Sequence, residues 1–441
     1  MSNNNFVLNI AVSVLKVHCN NLLSRKTILK RAERRVIREV HRAYADVPYY
    51  RKKYDEFGVD ISSIKTLEDL SKLPIITKDE IREQFPDGIV SKKYNIDDCH
   101  YSATTGSTGR SLPFVFSMPT FAWYIATGMR LYTLIGYRPW HKLVYIKYTP
   151  IEYPKMGPFF RTQHIPSTIS IEEQIEMLRG SKPDLLIGYA SLILEIAQKL
   201  TPEDLKLIKP KFIGLNSELS TKSEREFVSQ VFNCPVYDEY STEETWMVAS
   251  TCKEGNYHVF ADNVWAEYLD KDGNPVKPGE EGEIYLTTLR SPAMPFIRYR
   301  IGDLVKCTDK QCTCGLPYPL IEEFNGRADD SFILPSGKYV SSIKILNTFT
   351  KNIKKYLHLM EEFKVIQQEP GLIVIQFVKG KEFEEEPLLD LIHSVEKVLG
   401  EPVTIRVDFM DSIPGNSIKR KAIESWVDKK ESRGNTLAAS N

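Results

Sequence analysis

The chain reads as an α/β protein with a largely parallel sheet, and three observations carry that reading. Short apolar runs at 143–148, 185–188, 212–215 and 236–237 alternate with helical stretches at 172–180, 190–200 and 221–232, the pattern of strand–helix–strand crossovers. After residue 257 come strand-like segments at 259–269 and 282–289 around the turn Asp272-Gly273-Asn274-Pro275, which predicts a β-rich subdomain. From residue 329 onward, strand-like runs at 363–367, 372–378 and 403–409 and a helix-like run at 385–399 predict a small α+β unit of about 100 residues.

In chain order, residues 6–17 are partly apolar but interrupted by Asn9, Ser13 and Lys16. They are too short for a bilayer, which takes roughly 20 residues, so they predict a packing helix, with a membrane-surface helix as the alternative. Ile28, Ala32, Val36, Val40 and Ala43 have the spacing of an amphipathic helix, which Val47-Pro48-Tyr49-Tyr50 ends. Residues 59–84 predict short helices around Leu73-Pro74-Ile75. Residues 102–116 predict strand–loop–strand, and 120–135 a helix leading into the sheet. The tail 432–441 predicts disorder.

A length of 441 residues implies two or three domains. Fifty-eight basic residues balance fifty-eight acidic ones, which argues against a nucleic-acid partner. Seven cysteines, an odd number, argue against a secreted disulfide framework. With a Met-Ser-Asn-Asn-Asn start unlike an export signal and no transmembrane segment in the pattern, a cytoplasmic protein is expected.

The most informative stretch is 102–113, Ser-Ala-Thr-Thr-Gly-Ser-Thr-Gly-Arg-Ser-Leu-Pro. Thr104, Thr105, Ser107 and Thr108 supply hydroxyls, while Gly106 and Gly109 permit positive φ and close approach, so the loop suits a polyphosphate. Arg110-Ser111 after Gly109 excludes a Walker A element. A flexible surface loop is the alternative.

Four further polar signatures follow. Tyr240, Ser241, Thr242 and Glu243 lie just after a short strand and suit a purine, a phosphate and Mg²⁺, or else form a polar strand end. Asp303, following Gly302, suits two ribose hydroxyls, or else pairs with a surface arginine. Arg327 and Asp329-Asp330 suit a nucleotide contact and a hinge, or else a plain linker. Lys419, with Lys421 next, suits charge delivery to a reacting phosphate from a loop, or else is solvated.

In this order the five elements resemble the adenylate-forming superfamily of acyl-CoA synthetases, luciferase and peptide-synthetase adenylation domains. The closer resemblance is to the phenylacetate-CoA ligase-like branch, with its capsular-polysaccharide-associated members. It spans residues 30–425 and includes Val47-Pro48-Tyr49-Tyr50 and Leu73-Pro74-Ile75-Ile76-Thr77-Lys78.

The resemblance implies a multi-subdomain nucleotide- and acyl-binding body at 1–328 and a mobile C-terminal domain at 329–431. Residues 104–109 match the phosphate loop. Tyr240 and Thr242 match nucleotide-contacting positions, Glu243 the Mg²⁺-linked glutamate, Asp303 the ribose aspartate and Arg327 the nucleotide arginine. Asp330 matches the hinge, and Ser217 and Glu218 the adenine-side loop. The lysine motif departs from the pattern: Ser417-Ile418-Lys419 lacks the usual glycine.

The implied reaction joins a carboxylic acid to ATP as an acyl-adenylate, then transfers the acyl group to a thiol such as CoA. An adenylyltransferase, a ligase with an amine or sugar acceptor, and a non-catalytic nucleotide-binding scaffold are the alternatives. The acyl pocket is expected among 120–150, 187–191 and 215–245, where Phe121, Trp123, Tyr124, Tyr145, Tyr148, Tyr189 and Trp246 lie.

Cys252, His258, Cys312 and Cys314 form a Cys₃His set with tetrahedral potential, and Cys307 is a fifth candidate. Buried free thiols are the alternative. The resembling branch carries a similar arrangement, which implies a structural Zn²⁺.

Overall fold

The computed structural model describes residues 3–104, 111–148, 150, 159–350, 359–380, 383–413 and 422–427. The chain divides into two compact units. One joins Met1–Gly136 to Tyr240–Glu323, the other Tyr137–Glu239 to Phe324–Asn441.

In the first unit the opening helix, Asn3–Asn21, packs on Met118–Leu134. Phe6 stacks on Phe121 at 5.8 Å, and the His18 Nε2 lies 2.7 Å from the Thr133 hydroxyl. It is a packing helix, and among the described residues no helix is long and apolar enough to cross a membrane. Helix Arg25–Asp46 starts where the Ser24 side chain accepts from the Thr27 N–H, and it buries the five expected apolar positions together with Glu39. Pro48 opens the next helix, Pro48–Glu56, because a first-turn residue needs no N–H donor. Helix Lys78–Gln84 carries a capping box between Thr77 and Glu80.

Strands Cys99–Ala103 and Pro113–Ser117 pair antiparallel, so the hydroxyl-rich loop lies between two strands as expected. The β-rich subdomain contains Val264–Leu269, Glu281–Thr288 and Tyr299–Thr308 in antiparallel succession. Tyr257–Val259 pairs with both Trp246–Thr251 and Leu320–Arg327.

One buried ion pair anchors this unit. Arg130 is fully buried, and its Nη1 donates to both Asp262 carboxylate oxygens, at 3.0 and 2.8 Å. Asn20 donates to the same carboxylate at 2.8 Å, and the guanidinium lies 3.9 Å from the Phe260 ring centre. Removing one partner of such a pair strands a charge away from water, at a cost of about 3–5 kcal/mol.

In the second unit five strands run parallel in the order Arg161–Pro166, Lys142–Lys147, Leu185–Tyr189, Phe212–Asn216, Val236–Thr242. Helices Ile171–Ser181, Ala190–Lys199 and Lys222–Phe232 make the crossovers and cover a core that includes Val144, Leu186, Ile193, Ile213 and Val228. The same unit holds a four-stranded sheet in which Met360–Glu369 and Leu372–Lys379 form the central antiparallel pair. Thr404–Phe409 and Ile423–Ser425 add in parallel on either side. With helix Glu385–Leu399, this sheet encloses a separate apolar core drawn from residues between Phe332 and Ile423.

Candidate active site

Within the first unit, two residues that the motifs single out separately meet. The Tyr240 hydroxyl donates to Asp303 Oδ2 at 2.5 Å across 63 positions of sequence. Asp303 does not follow a turn, as expected from Gly302, but sits inside the strand Tyr299–Thr308. Glu283 pairs with Leu304 and Tyr285 with Arg300, so four residue steps on one strand face two on its partner. Gly302, at φ +91°, allows that bulge, which re-aims Asp303 out of the ladder. Arg298 is structural: it is buried, its Nε donates to Glu267 at 3.1 Å, and it also bonds the Leu73 carbonyl.

The segment after Tyr240 is a turn held by its own hydroxyls. The Thr245 N–H donates to Thr242 Oγ1 at 3.0 Å, and the two threonine hydroxyls lie 2.9 Å apart. Ser241 and Glu243 are exposed, whereas Glu244 is buried. Glu244 accepts from Tyr299 Oη at 2.9 Å and lies 3.6 Å from Lys78 Nζ. The motif singles out Glu243 and not this carboxylate, for which the doubled Glu-Glu is the sequence signal.

Trp246 follows at φ +57°, a strained conformation for a bulky residue. Asn263 holds it there, donating to the carbonyls on either side, Thr245 at 3.0 Å and Met247 at 2.8 Å. The indole then packs on Phe121 and Tyr124, at 5.6 and 5.9 Å, and His100 stacks on Phe121 at 3.7 Å. Burial lowers the His100 pKa, so this aromatic wall is uncharged near neutrality. Trp123 belongs to the core instead. Its Nε1 donates to Asn263 Oδ1 at 3.0 Å, and Arg290 lies over its ring at 3.7 Å.

Thr104 closes the base of the hydroxyl-rich loop. Its N–H donates to the Leu112 carbonyl, and its Oγ1 accepts from the Leu112 N–H, both at 3.0 Å. Thr105, Gly106, Ser107, Thr108 and Gly109 lie outside the described residues, as do Lys419 and Lys421.

The remaining candidates lie in the second unit. Ser217, at φ +64°, ends the strand Phe212–Asn216. Glu218 Oε2 accepts from the Ser191 N–H at 2.9 Å, at the start of helix Ala190–Lys199, whose N-cap Tyr189 offers no side-chain bond. Arg327 ends the strand Leu320–Arg327, and Asp330 ends the 3₁₀ turn Ala328–Asp330 that follows. Gly326 before them is required: at φ +86°, an added Cβ would meet the Ser342 hydroxyl at 2.1 Å.

Cys252, His258, Cys312 and Cys314 converge in the first unit, their four ligand atoms all within 4.8 Å of one another. A zinc–sulfur bond of about 2.3 Å sets a tetrahedral sulfur–sulfur edge near 3.8 Å. Cys252 and Cys312 sulfurs are 3.6 Å apart, and Cys314 Sγ is 3.2 Å from His258 Nε2. Burial lowers the His258 pKa to about 4, leaving a neutral imidazole, the form that binds metals. Backbone N–H groups of Glu254, Cys314 and Leu316 point at the sulfurs at 3.4–3.5 Å, and the Asn256 amide donates to Cys312 at 3.2 Å. The donor set fits Zn²⁺. Cys307 is not part of it; its thiol donates to the Lys277 carbonyl at 3.1 Å.

The chain matches no protein-family model. It is 27% identical over 329 residues to a phenylacetate-coenzyme A ligase of Thermus thermophilus, covering 71% of this chain and 73% of that one. It is 24% identical over 341 residues to the phenylacetate-coenzyme A ligase of Escherichia coli, covering 73% and 75%. Protein CapK of Staphylococcus aureus is 28% identical over 282 residues, covering 58% of this chain and 60% of that one. A crystal structure of a 2-hydroxyisobutyryl-CoA ligase in the postadenylation state superposes with a TM-score of 0.75, at 19% identity over 94% of this chain and 92% of that one. The chain is thus a homologue of the phenylacetate-coenzyme A ligases and has the fold of the adenylate-forming CoA ligases.

Proposed function

We propose that this protein is an AMP-forming acid–CoA ligase. A carboxylate oxygen of the acid attacks the α-phosphorus of ATP, the bond to the β-phosphate bridging oxygen breaks, and pyrophosphate leaves. The thiol of CoA then attacks the acyl carbonyl, AMP departs, and the thiol proton passes to solvent. No protein nucleophile takes part, so the chain's work is positioning and electrostatics.

The observation that carries the nucleotide site is the Tyr240–Asp303 bond, since the motifs predict both residues to touch one nucleotide. Asp303 accepts the ribose hydroxyls, Tyr240 and Thr242 flank the base and phosphate, and Thr104 with residues 105–109 receives the phosphates. Ser217, Glu218 and Arg327 are assigned nucleotide roles by the family resemblance alone. Glu243 would hold Mg²⁺, which neutralises phosphate charge when bound, and Glu244 is the second carboxylate available there. Zn²⁺ in the Cys252–His258–Cys312–Cys314 set is structural, and that thiol-rich set, in a chain with seven cysteines, suits a reducing cytoplasm.

Asp303→Ala is expected to raise the KM for ATP about 10–100-fold, as loss of hydrogen bonds to a charged group implies, while the KM for the acid stays near wild type. Steady-state kinetics with a well-folded variant checks this. An unchanged KM for ATP would remove Asp303 from the nucleotide site.

A further inference from the structure

The chemistry of the acid is legible in one row of the parallel sheet. The register pairs Ile146 with Gly188, Tyr189 with Asn216, and Leu215 with Asp238. Lys147, Tyr189, Asn216 and Glu239 therefore fall in one row across four adjacent strands, at the carboxyl ends of three of them. In-register residues of parallel strands share a face, and open parallel sheets bind ligands outside their carboxyl ends.

The side-chain interactions agree. Lys147 Nζ lies 5.9 Å from the Tyr189 ring centre. Glu239, its pKa raised by burial, is held by the positive charge of Lys147 and by the Asn216 side-chain amide. Beside the row, His164 Nε2 lies 2.8 Å from the Lys147 carbonyl, with its ring 5.2 Å from Tyr145. Beyond it, Tyr148 is exposed and Ser217 turns the chain away at φ +64°.

Such a row suits hydroxyl groups and resists a phenyl ring. The Lys147 ammonium faces the Glu239 carboxyl, and Asp238 adds negative charge beside it, so the row offers polar and charged groups rather than an apolar surface. An aryl substituent set against this row would meet an ammonium, a carboxyl and an amide and offer no hydrogen bond to any of them. A site built to hydrogen-bond its substrate discriminates strongly against analogues that cannot.

We infer that this chain selects a hydroxylated aliphatic acid, a hydroxy acid or sugar acid, over an arylacetic acid, with Lys147, Asn216 and Glu239 as its specificity-determining groups. The inference rests on the adenylation reading above.

The test is ATP–pyrophosphate exchange by the full chain with phenylacetate, lactate, gluconate and glucuronate, repeated with Lys147→Met and Glu239→Gln. At least one hydroxylated acid is expected to exceed phenylacetate about 100-fold in kcat/KM. Each variant should lower that value about tenfold or more while the KM for ATP stays put. A preference for phenylacetate would overturn the inference, as would variants that alter the KM for ATP and spare the acid. If no acid supports exchange, the adenylation reading fails on its own, and thermal-shift titration with the same acids decides this point. Stabilisation by a hydroxylated acid that Lys147→Met removes supports the row; its absence overturns it.

Discussion

Lys419→Ala is expected to cut acid-dependent ATP–pyrophosphate exchange by about 10²–10³-fold, the range for removing a preorganised group aimed at developing charge. The same variant should still consume a preformed acyl-adenylate at close to the wild-type rate with CoA. The split follows from the proposed reaction. In the first step the lysine meets the charge gathering about the α-phosphorus as pyrophosphate leaves, whereas in the second the attacked centre is the acyl carbonyl, so a cation placed for the first is not required to start the second. It also follows from chain organisation. Residues 332–423 carry their own apolar core, and we propose that this domain swings about Asp330, withdrawing the lysine before the thiol enters. Lys421→Ala is the control, because the motif here reads Ser417-Ile418-Lys419 without the glycine that the family resemblance implies. Loss of both half-reactions together in Lys419→Ala would contradict the two-step use of the domain.

The second large effect concerns stability. The purified protein is expected to hold one zinc per chain. Cys312→Ser with Cys314→Ser should release it and lower Tm by roughly 3 °C, taking a stability loss near 3 kcal/mol for a chain of this size. The ligands come from three separate stretches of chain: Cys252 follows the strand Trp246–Thr251, His258 is in Tyr257–Val259, and the Cys-x-Cys pair lies between Tyr299–Thr308 and Leu320–Arg327. Without an ion, three thiols and an imidazole remain crowded together with backbone donors aimed at them. Metal analysis of the wild type and thermal melts of both proteins check this. Wild-type protein free of zinc, with an unchanged melt in the double variant, would assign the cluster to buried thiols.

Much of this was legible wherever a local pattern had a single physical solution. The helix Arg25–Asp46 buries the five residues its periodicity names, because a 3.6-residue stripe has one face to offer a core. The parallel sheet follows from apolar runs separated by amphipathic helices, and the metal cluster from a Cys-x-Cys pair that cannot be far apart. The edge strand Arg161–Pro166 escaped notice because a strand paired on one side needs no apolar run; only Ile165 in it is buried. The bulge that re-aims Asp303 reads as a glycine turn until the partner strand is known. The Arg130–Asp262 pair spans 132 positions, and nothing local to either residue announces it. Glu243 and Glu244 are equivalent in sequence, and burial alone separates them. The phosphate loop at 105–109 and Lys419 lie outside the described residues, so their roles rest on motif and resemblance.

The most direct test of the central claim is ATP–pyrophosphate exchange with Mg²⁺ across a panel of aryl, short-chain, hydroxy and sugar acids, followed by CoA consumption with whichever acid responds. The account predicts exchange that depends on one class of acid and stoichiometric formation of AMP and thioester once CoA is added. ATP binding without exchange under any acid would contradict it and favour a non-catalytic nucleotide-binding role.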